Sequence, residues 1–208
     1  MDNYVLQLQS AQKRFLTYDQ DALIQKLRLL ADEKYLYIPM LGKQYRLCRH
    51  TGCLERKSAN WEDANTFGEV MVLLDILCDS REDRCLSGQW QSLQQFGKLF
   101  HTSLLEPKED PLATGYDKQP GLLKQVCLSM GGRPISGGDE AYAVPLMDEM
   151  EIVIFFWHAD EEFPAQFRFF WDKNALQYIR YETMHYALGL LKSRMHEQSL
   201  LFSKAVVE

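Results

Sequence analysis

Apolar residues recur along the chain with two periods, and these lay out its elements. From Asn3 to Phe15 they fall at Tyr4, Leu8, Ala11 and Phe15, a spacing of four, three and four that makes one helical stripe. Thr17-Tyr18-Asp19-Gln20 breaks the stripe with a capping-box match, Asp19 being an alternative cap. A second helix is expected to about Ala31, with Leu23, Leu27 and Leu30 inward. Alternation then replaces the helical period. Tyr35 to Leu41 and Gln44 to Arg49 read as strands joined at Gly42-Lys43, and Pro39 suits an edge or a bulge. Thr51-Gly52 turns the chain toward Leu54, which makes a meander of two or three short antiparallel strands.

The helical period returns further on. Ser58 or Asn60 is expected to cap the next helical stretch, and Thr66-Phe67-Gly68-Glu69 is a second capping-box match. Behind it Val70, Leu73, Leu74 and Leu77 form a strong buried stripe, which ends in the loop Asp79 to Asp83. Ser87 to Phe96 fits a helix through Trp90, Leu93 and Phe96, or an extended piece between Gly88 and Gly97. Lys98 to Pro111 is expected to be irregular or a short helix. Pro120 opens a helix that closes at Met130, with Gly131-Gly132 supplying the left-handed end. Ala141 to Pro145 is a short strand.

Two aromatic strands follow, Ile152 to Trp157 and Phe167 to Trp171, joined through His158, Asp160, Glu161, Glu162 and Phe163-Pro164. The last helix is expected from Glu182 to Glu197, with Met184, Leu188, Leu191 and Met195 inward. The tail from Ser199 to Glu208 is expected to fray or to pack on a partner.

These elements predict an α+β fold, an antiparallel sheet covered on one face by helices, with N-terminal helices at an edge and a C-terminal helix. The expected organisation is one domain over residues 1–208: an N-terminal helical segment (1–31), an α+β core (32–198) and a tail (199–208).

Composition narrows the function classes. The chain has 208 residues, 46% hydrophobic and 25% charged, enough to bury a core without a staple. Its net charge of −6 argues against nucleic acid or an anionic membrane as main partner, since both are held by clustered cations. No run approaches the roughly 20 apolar residues of a membrane span, and the N-terminus has no secretory h-region. Five sparse cysteines point to a reduced, cytoplasmic setting. A protein partner or a small-molecule ligand remains open, and the sequence leaves any cofactor unknown.

Several ordered motifs resemble a known family. They are Leu36-Tyr37-Ile38 with Leu41-Gly42-Lys43-Gln44-Tyr45, Leu86-Ser87-Gly88-Gln89-Trp90, Gly131-Gly132, and Trp157-His158-Ala159-Asp160-Glu161-Glu162-Phe163-Pro164. A Phe-rich strand ending in Asp172, and Glu182 near the start of the last helix, also match. The set resembles an uncharacterised bacterial and archaeal family known as domain of unknown function number 3786, over roughly Ala22 to Leu191. The resemblance implies an architecture and no assigned activity. By association it suggests a role near anaerobic redox or corrinoid metabolism. Some relatives carry a four-cysteine iron–sulfur module; this sequence has no such cysteine run, so that label is not carried over.

Candidate chemistry gathers at few places. Asp160, Glu161 and Glu162, with His158, could hold a hard cation or act as general acid and base. Side chains alternate on an extended chain, so at most two of the three acids converge. The competing reading is a cap on a helical turn begun at Phe163-Pro164. Glu182 and His185 have the Glu-x-x-His spacing of di-iron bundles, but only once. Measured from the centre of the buried stripe, His185 lies about 100° round and Glu182 about 160° round, which turns the glutamate from the core. Cys48, His50 and Cys53 amount to half a zinc site, with Cys48 expected inward. Cys78 and Cys85 do not complete it.

Trp90, Trp157, Phe163 and Trp171 are candidates to line an apolar pocket, against the plainer reading as core. Asp160 and Glu161 are the nearest sequence partners for an indole N–H. The glycine-rich stretch Gly131 to Asp139 follows a helix instead of opening one, and so reads as a chain reversal and not a phosphate cradle. No nucleophile or P-loop motif occurs. Three functions follow: a binding or accessory module, a metal- or carboxylate-dependent enzyme at the Asp160-Glu161-Glu162 corner, and a structural or oligomeric role through the last helix and tail.

Overall fold

The computed structural model describes residues 3–97 and 110–205. Helix α1 (Asn3–Phe15) and helix α2 (Gln20–Leu27) lead into five strands: β1 (Leu30–Ala31), β2 (Tyr35–Met40), β3 (Lys43–Cys48), β4 (Leu54–Lys57) and β5 (Trp61–Asp63). They form an antiparallel meander in sequence order. Helix α3 (Phe67–Leu74) continues directly into a π-helical stretch, Asp75–Asp79. After it come β6 (Trp90–Ser92), α4 (Pro111–Asp117), α5 (Leu122–Ser129), β7 (Arg133–Pro134), β8 (Glu140–Met147), β9 (Met150–Trp157), β10 (Gln166–Asp172) and α6 (Tyr181–Ala205). The second sheet has the order β6-β10-β9-β8-β7 and is also antiparallel.

The fold is α+β as the pattern predicts, with the antiparallel strands divided between two sheets. The first sheet buries one face by alternation, and the second buries the face toward the helices together with Ala141, Ala143 and Val153 on its other face. Leu36, Ile38, Tyr45 and Leu47 point inward from the first, and Val144, Ile152, Ile154, Phe156 and Trp171 from the second. The sheets meet where the Leu41 N–H donates to the Leu146 carbonyl at 2.9 Å. Along the helical layer α3 packs between α1 and α6, and α5 packs on the other side of α6. Among the described residues no helix is long and apolar enough to cross a membrane.

Buried polar groups cross this interior. Glu69 of α3 and Arg194 of α6 are each 3% exposed. The Arg194 Nη2 donates to Glu69 Oε1 at 2.8 Å and to the Tyr45 hydroxyl at 2.7 Å. Tyr45 and Arg56 each donate to the same glutamate oxygen at 2.7 Å. Burial pushes the Tyr45 hydroxyl up to about 12. One carboxylate thus ties β3 and β4 of the first sheet to α3 and α6.

Four expectations change. Helix α2 stops at Leu27, not Ala31, because Arg28 takes a left-handed conformation (φ 52°) and closes the helix. Leu30 and Ala31 pair instead with Tyr37 and Leu36, leaving Leu30 exposed. Ser58 and Asn60 form a tight turn ahead of β5, and the cap of α3 is Thr66, whose hydroxyl accepts from the Glu69 N–H at 3.3 Å. Ser87 to Phe96 is neither wholly helical nor wholly extended: β6 passes into a 3₁₀ turn at Leu93–Gln95. Ser199 to Ala205 does not fray but continues α6, with the Ser203 hydroxyl donating to Gln119 Oε1 at 3.0 Å. Helix α4 went unread. Asp110 caps it through the Leu112 N–H at 2.9 Å, with Pro111 at the first helical position. The rest of the expected 98–111 connection lies outside the described residues.

Candidate functional site

The acidic corner closes on itself. Asp160 Oδ1 accepts from the Glu162 N–H at 2.8 Å and the Phe163 N–H at 2.7 Å, while its own N–H donates to the Phe163 carbonyl at 2.9 Å. This is a side-chain-mimicked turn, and no helical turn starts at Phe163-Pro164, so the capping reading gives way to it. Glu161 and Glu162 are exposed. Asp160→Asn keeps the accepting oxygen and is expected to hold stability within about 0.5 kcal/mol. Asp160→Ala should cost about 1 kcal/mol in a urea melt. Equal losses in the two variants would contradict a turn-forming role.

His158 turns elsewhere. Its Nδ1 lies 2.8 Å from Asp117 Oδ1 and its Nε2 3.7 Å from Glu140 Oε1, and Tyr142 donates to the other oxygen of Glu140 at 2.8 Å. The bond to His158 holds the Asp117 carboxyl below the usual range. The histidine thus serves a link between β9, α4 and β8.

The remaining candidates stay apart. Glu182 and His185 are both exposed on α6, and His185 stands edge-on to Tyr181 at 5.1 Å. Cys48 is half-buried on the face of β3 opposite Tyr45 and Leu47, not inward as expected. Cys53 and His50 are exposed across the turn. Burial would raise the Cys48 thiol, but bonds from the Thr51 hydroxyl and the His50 and Thr51 N–H groups bring it below its usual value. Among the described residues no three His, Cys, Asp or Glu side chains gather as a metal site.

The aromatic candidates share no pocket. Trp171 is wholly buried on the inner face, and its indole N–H has no partner among the described residues. Trp157 lies on the outer face, 5.9 Å from Phe155 and under the Arg168 guanidinium at 5.3 Å. Trp90 is half-buried at the edge strand opposite Asp172, and Phe163 is 60% exposed.

A different place combines a cavity with unsatisfied chemistry. A cleft of 240 Å³ lies between α1, the π-helical stretch and the start of α6, lined by Gln7, Ser10, Ala11, Arg14, Met71, Leu74, Asp75, Cys78, Asp79 and Arg180. The widened turn puts Asp75 and Asp79 on its wall, and such turns recur at functional sites. Asp79 gathers Arg14, Arg180 and the Tyr18 hydroxyl, the last at 2.7 Å. Burial alone would raise the Asp79 carboxyl; Tyr18 and the two guanidinium groups overturn that and hold it low.

Asp75 is 4% exposed. Its Oδ2 accepts from the Arg180 N–H at 2.8 Å. Its Oδ1 accepts no hydrogen bond; the Arg180 Nε stands 3.3 Å away without the alignment for one. Burial pushes this carboxyl up, against the pull of the Arg180 N–H, Thr183 and the Arg180 charge. Cys78, also on the wall, has its thiol pushed up to about 12 by burial, which disfavours the thiolate. A second cleft, of 340 Å³ beside Leu29, Leu30, Pro39 and Asp148, is larger. Its carboxylate is already paired, with Arg84 at 2.8 Å.

Periodicity and motif spacing do not single out the cleft residues as a site. One signal was present: Asp75 interrupts the apolar run from Val70 to Cys78. A charge inside a run buried on every side needs a partner or a purpose.

The family description "Domain of unknown function (DUF3786)" matches residues 19–194. The chain belongs to this family. No curated protein and no solved structure matches it. Residues within the matched region have structural work here. Asp172 accepts from the Ser87 N–H (2.9 Å) and hydroxyl (3.0 Å), the Gly88 N–H (2.8 Å) and the Asn174 N–H (2.8 Å), locking the Leu86 to Trp90 motif to the end of β10. Gly132 donates to the Cys127 carbonyl at 2.8 Å, and a Cβ there would stand 2.7 Å from that oxygen. The matched region holds Asp75, Asp79 and Arg180, whereas the α1 wall of the cleft lies before it.

Proposed function

We propose that this DUF3786 chain is a small-molecule binding module whose site is the cleft between α1, the Asp75–Asp79 turn and Arg180. The observation that carries this reading is the buried Asp75 oxygen without a hydrogen-bond donor, on the wall of a cavity next to two guanidinium groups. An unmade bond to a buried carboxylate costs stability. A buried polar atom left in this state calls for an explanation, and a ligand that satisfies it is one. At the corner Asp160 Oδ1 is spent on a turn and the Glu161 and Glu162 carboxylates are exposed to water, so no buried acceptor there lacks a donor. The structural role through α6 and the association with anaerobic redox or corrinoid metabolism draw no support from the cleft.

Thermal melts with amino acids, small organic acids and polyamines, each in millimolar excess, test the site. At least one set should raise the midpoint by about 3–6 °C at tenfold over its Kd. Ser10→Trp, an exposed change at the mouth of the cleft, should abolish the rise. Silence from every set, or an equal rise in the blocked variant, would overturn the proposal.

A further inference from the structure

The ligand's chemistry can be read from the wall, given the reading of the cleft as a binding site. Two cations, Arg14 and Arg180, and two anions, Asp75 and Asp79, line it. Their formal charges cancel. A ligand with net charge would leave a surplus in a half-enclosed site, where charge is poorly screened. The groups are also separated by kind. Arg14 and Arg180 are each about half exposed as side chains and spend one guanidinium nitrogen apiece on Asp79, so both keep donors for an anion. Asp75 offers the opposite, a buried carboxylate whose Oδ1 makes no aligned hydrogen bond and stands 3.3 Å from the Arg180 Nε.

Ala11, Met71 and Leu74 supply an apolar wall between these polar groups. The volume, 240 Å³, is below the range of drug-sized pockets and suits a molecule of few heavy atoms. We infer that the cleft takes a small aliphatic zwitterion of the α-amino-acid type, its carboxylate toward Arg14 and Arg180, its ammonium toward Asp75 and its side chain on Met71 and Leu74. Arg180 is the pivot. It bonds Asp79 through Nη2, and its Nε faces Asp75 without an aligned bond. A ligand ammonium that satisfies Asp75 would leave that guanidinium free for the ligand carboxylate.

Three matched probes separate the groups: L-leucine, 4-methylpentanoate (the same skeleton without the amine) and 3-methylbutylamine (without the carboxylate). Isothermal titration should show leucine binding, with each truncated probe weaker by about tenfold or more, as when a charge-assisted bond goes unmade. Ser10→Trp should remove leucine binding. Arg180→Gln should weaken leucine about tenfold and leave 3-methylbutylamine nearly unchanged; far-ultraviolet circular dichroism checks that the variant is folded. If 4-methylpentanoate binds as well as leucine, the amine is idle and the zwitterion assignment falls while the cleft stands. If none of the three binds but another probe set still shifts wild type and not Ser10→Trp, the class again fails alone. If Ser10→Trp keeps its leucine affinity, both readings fall.

Discussion

Glu69→Ala is expected to destabilise the fold by about 3–5 kcal/mol, the loss typical when one partner of a buried ion pair is removed. The side chain of Arg194 is 4% exposed and would keep only Glu197 at 2.7 Å as a charged partner. A chain of this size loses about 2–4 °C per kcal/mol, so the melting midpoint should fall by about 6–20 °C. Tyr45→Phe removes one hydroxyl from the same oxygen and should cost only about 1 kcal/mol. Replacing the group with apolar side chains of similar volume, Glu69→Leu with Arg194→Met and Tyr45→Phe, should recover most of the Glu69→Ala loss, because no buried charge is then stranded. Denaturant melts of the three proteins check this. A Glu69→Ala loss under about 1 kcal/mol would show that water screens the site and that the network holds nothing together.

The second large effect is expected at Asp172. Its side chain takes bonds from Ser87, Gly88 and Asn174 while 3% exposed. Asp172→Ala strands these donors and should cost about 3–4 kcal/mol, at about 1 kcal/mol for each bond. Burial would raise this carboxyl, but the N–H groups of Ser87 and Asn174 and the Ser87 hydroxyl overturn that and hold it below its usual value. A depressed carboxyl contributes stability that is complete above its unfolded value, about 3.9. That stability is lost as pH falls through the lower native value. Wild type should therefore lose stability on acidification below about pH 4, and Asp172→Asn should flatten that part of the curve. An unchanged acid limb would contradict the role given to this carboxylate.

The elements that could be read from the sequence are those that burial alone specifies. Ile152 to Trp157 is apolar because one of its faces meets the helices and the other carries Phe155 and Trp157. Thr66 and Glu69 announce the start of α3 by local bonding. Misreadings fall where a single backbone choice outweighs periodicity. Arg28 ends α2 by turning left-handed, and Leu30 then becomes an exposed strand residue despite its helical spacing.

The acidic corner drew attention because three adjacent acids are conspicuous in a sequence, yet the bonds of Asp160 span only three residues. The cleft was hidden for the opposite reason. Arg14, Tyr18 and Arg180 reach Asp79 across separations of 65, 61 and 101 residues. The π-helical stretch shifts the phase of the helix just where Asp75 would be placed by a 3.6-residue repeat. No pattern within a window of the sequence contains that arrangement.

The most direct test sets the cleft against the corner in one titration. L-Leucine is added to wild type, to Ser10→Trp and to the Glu161→Gln/Glu162→Gln double variant, with binding followed by calorimetry. Binding lost only in Ser10→Trp is the predicted result. Binding lost in the double variant and kept in Ser10→Trp would contradict the account and return the site to the corner.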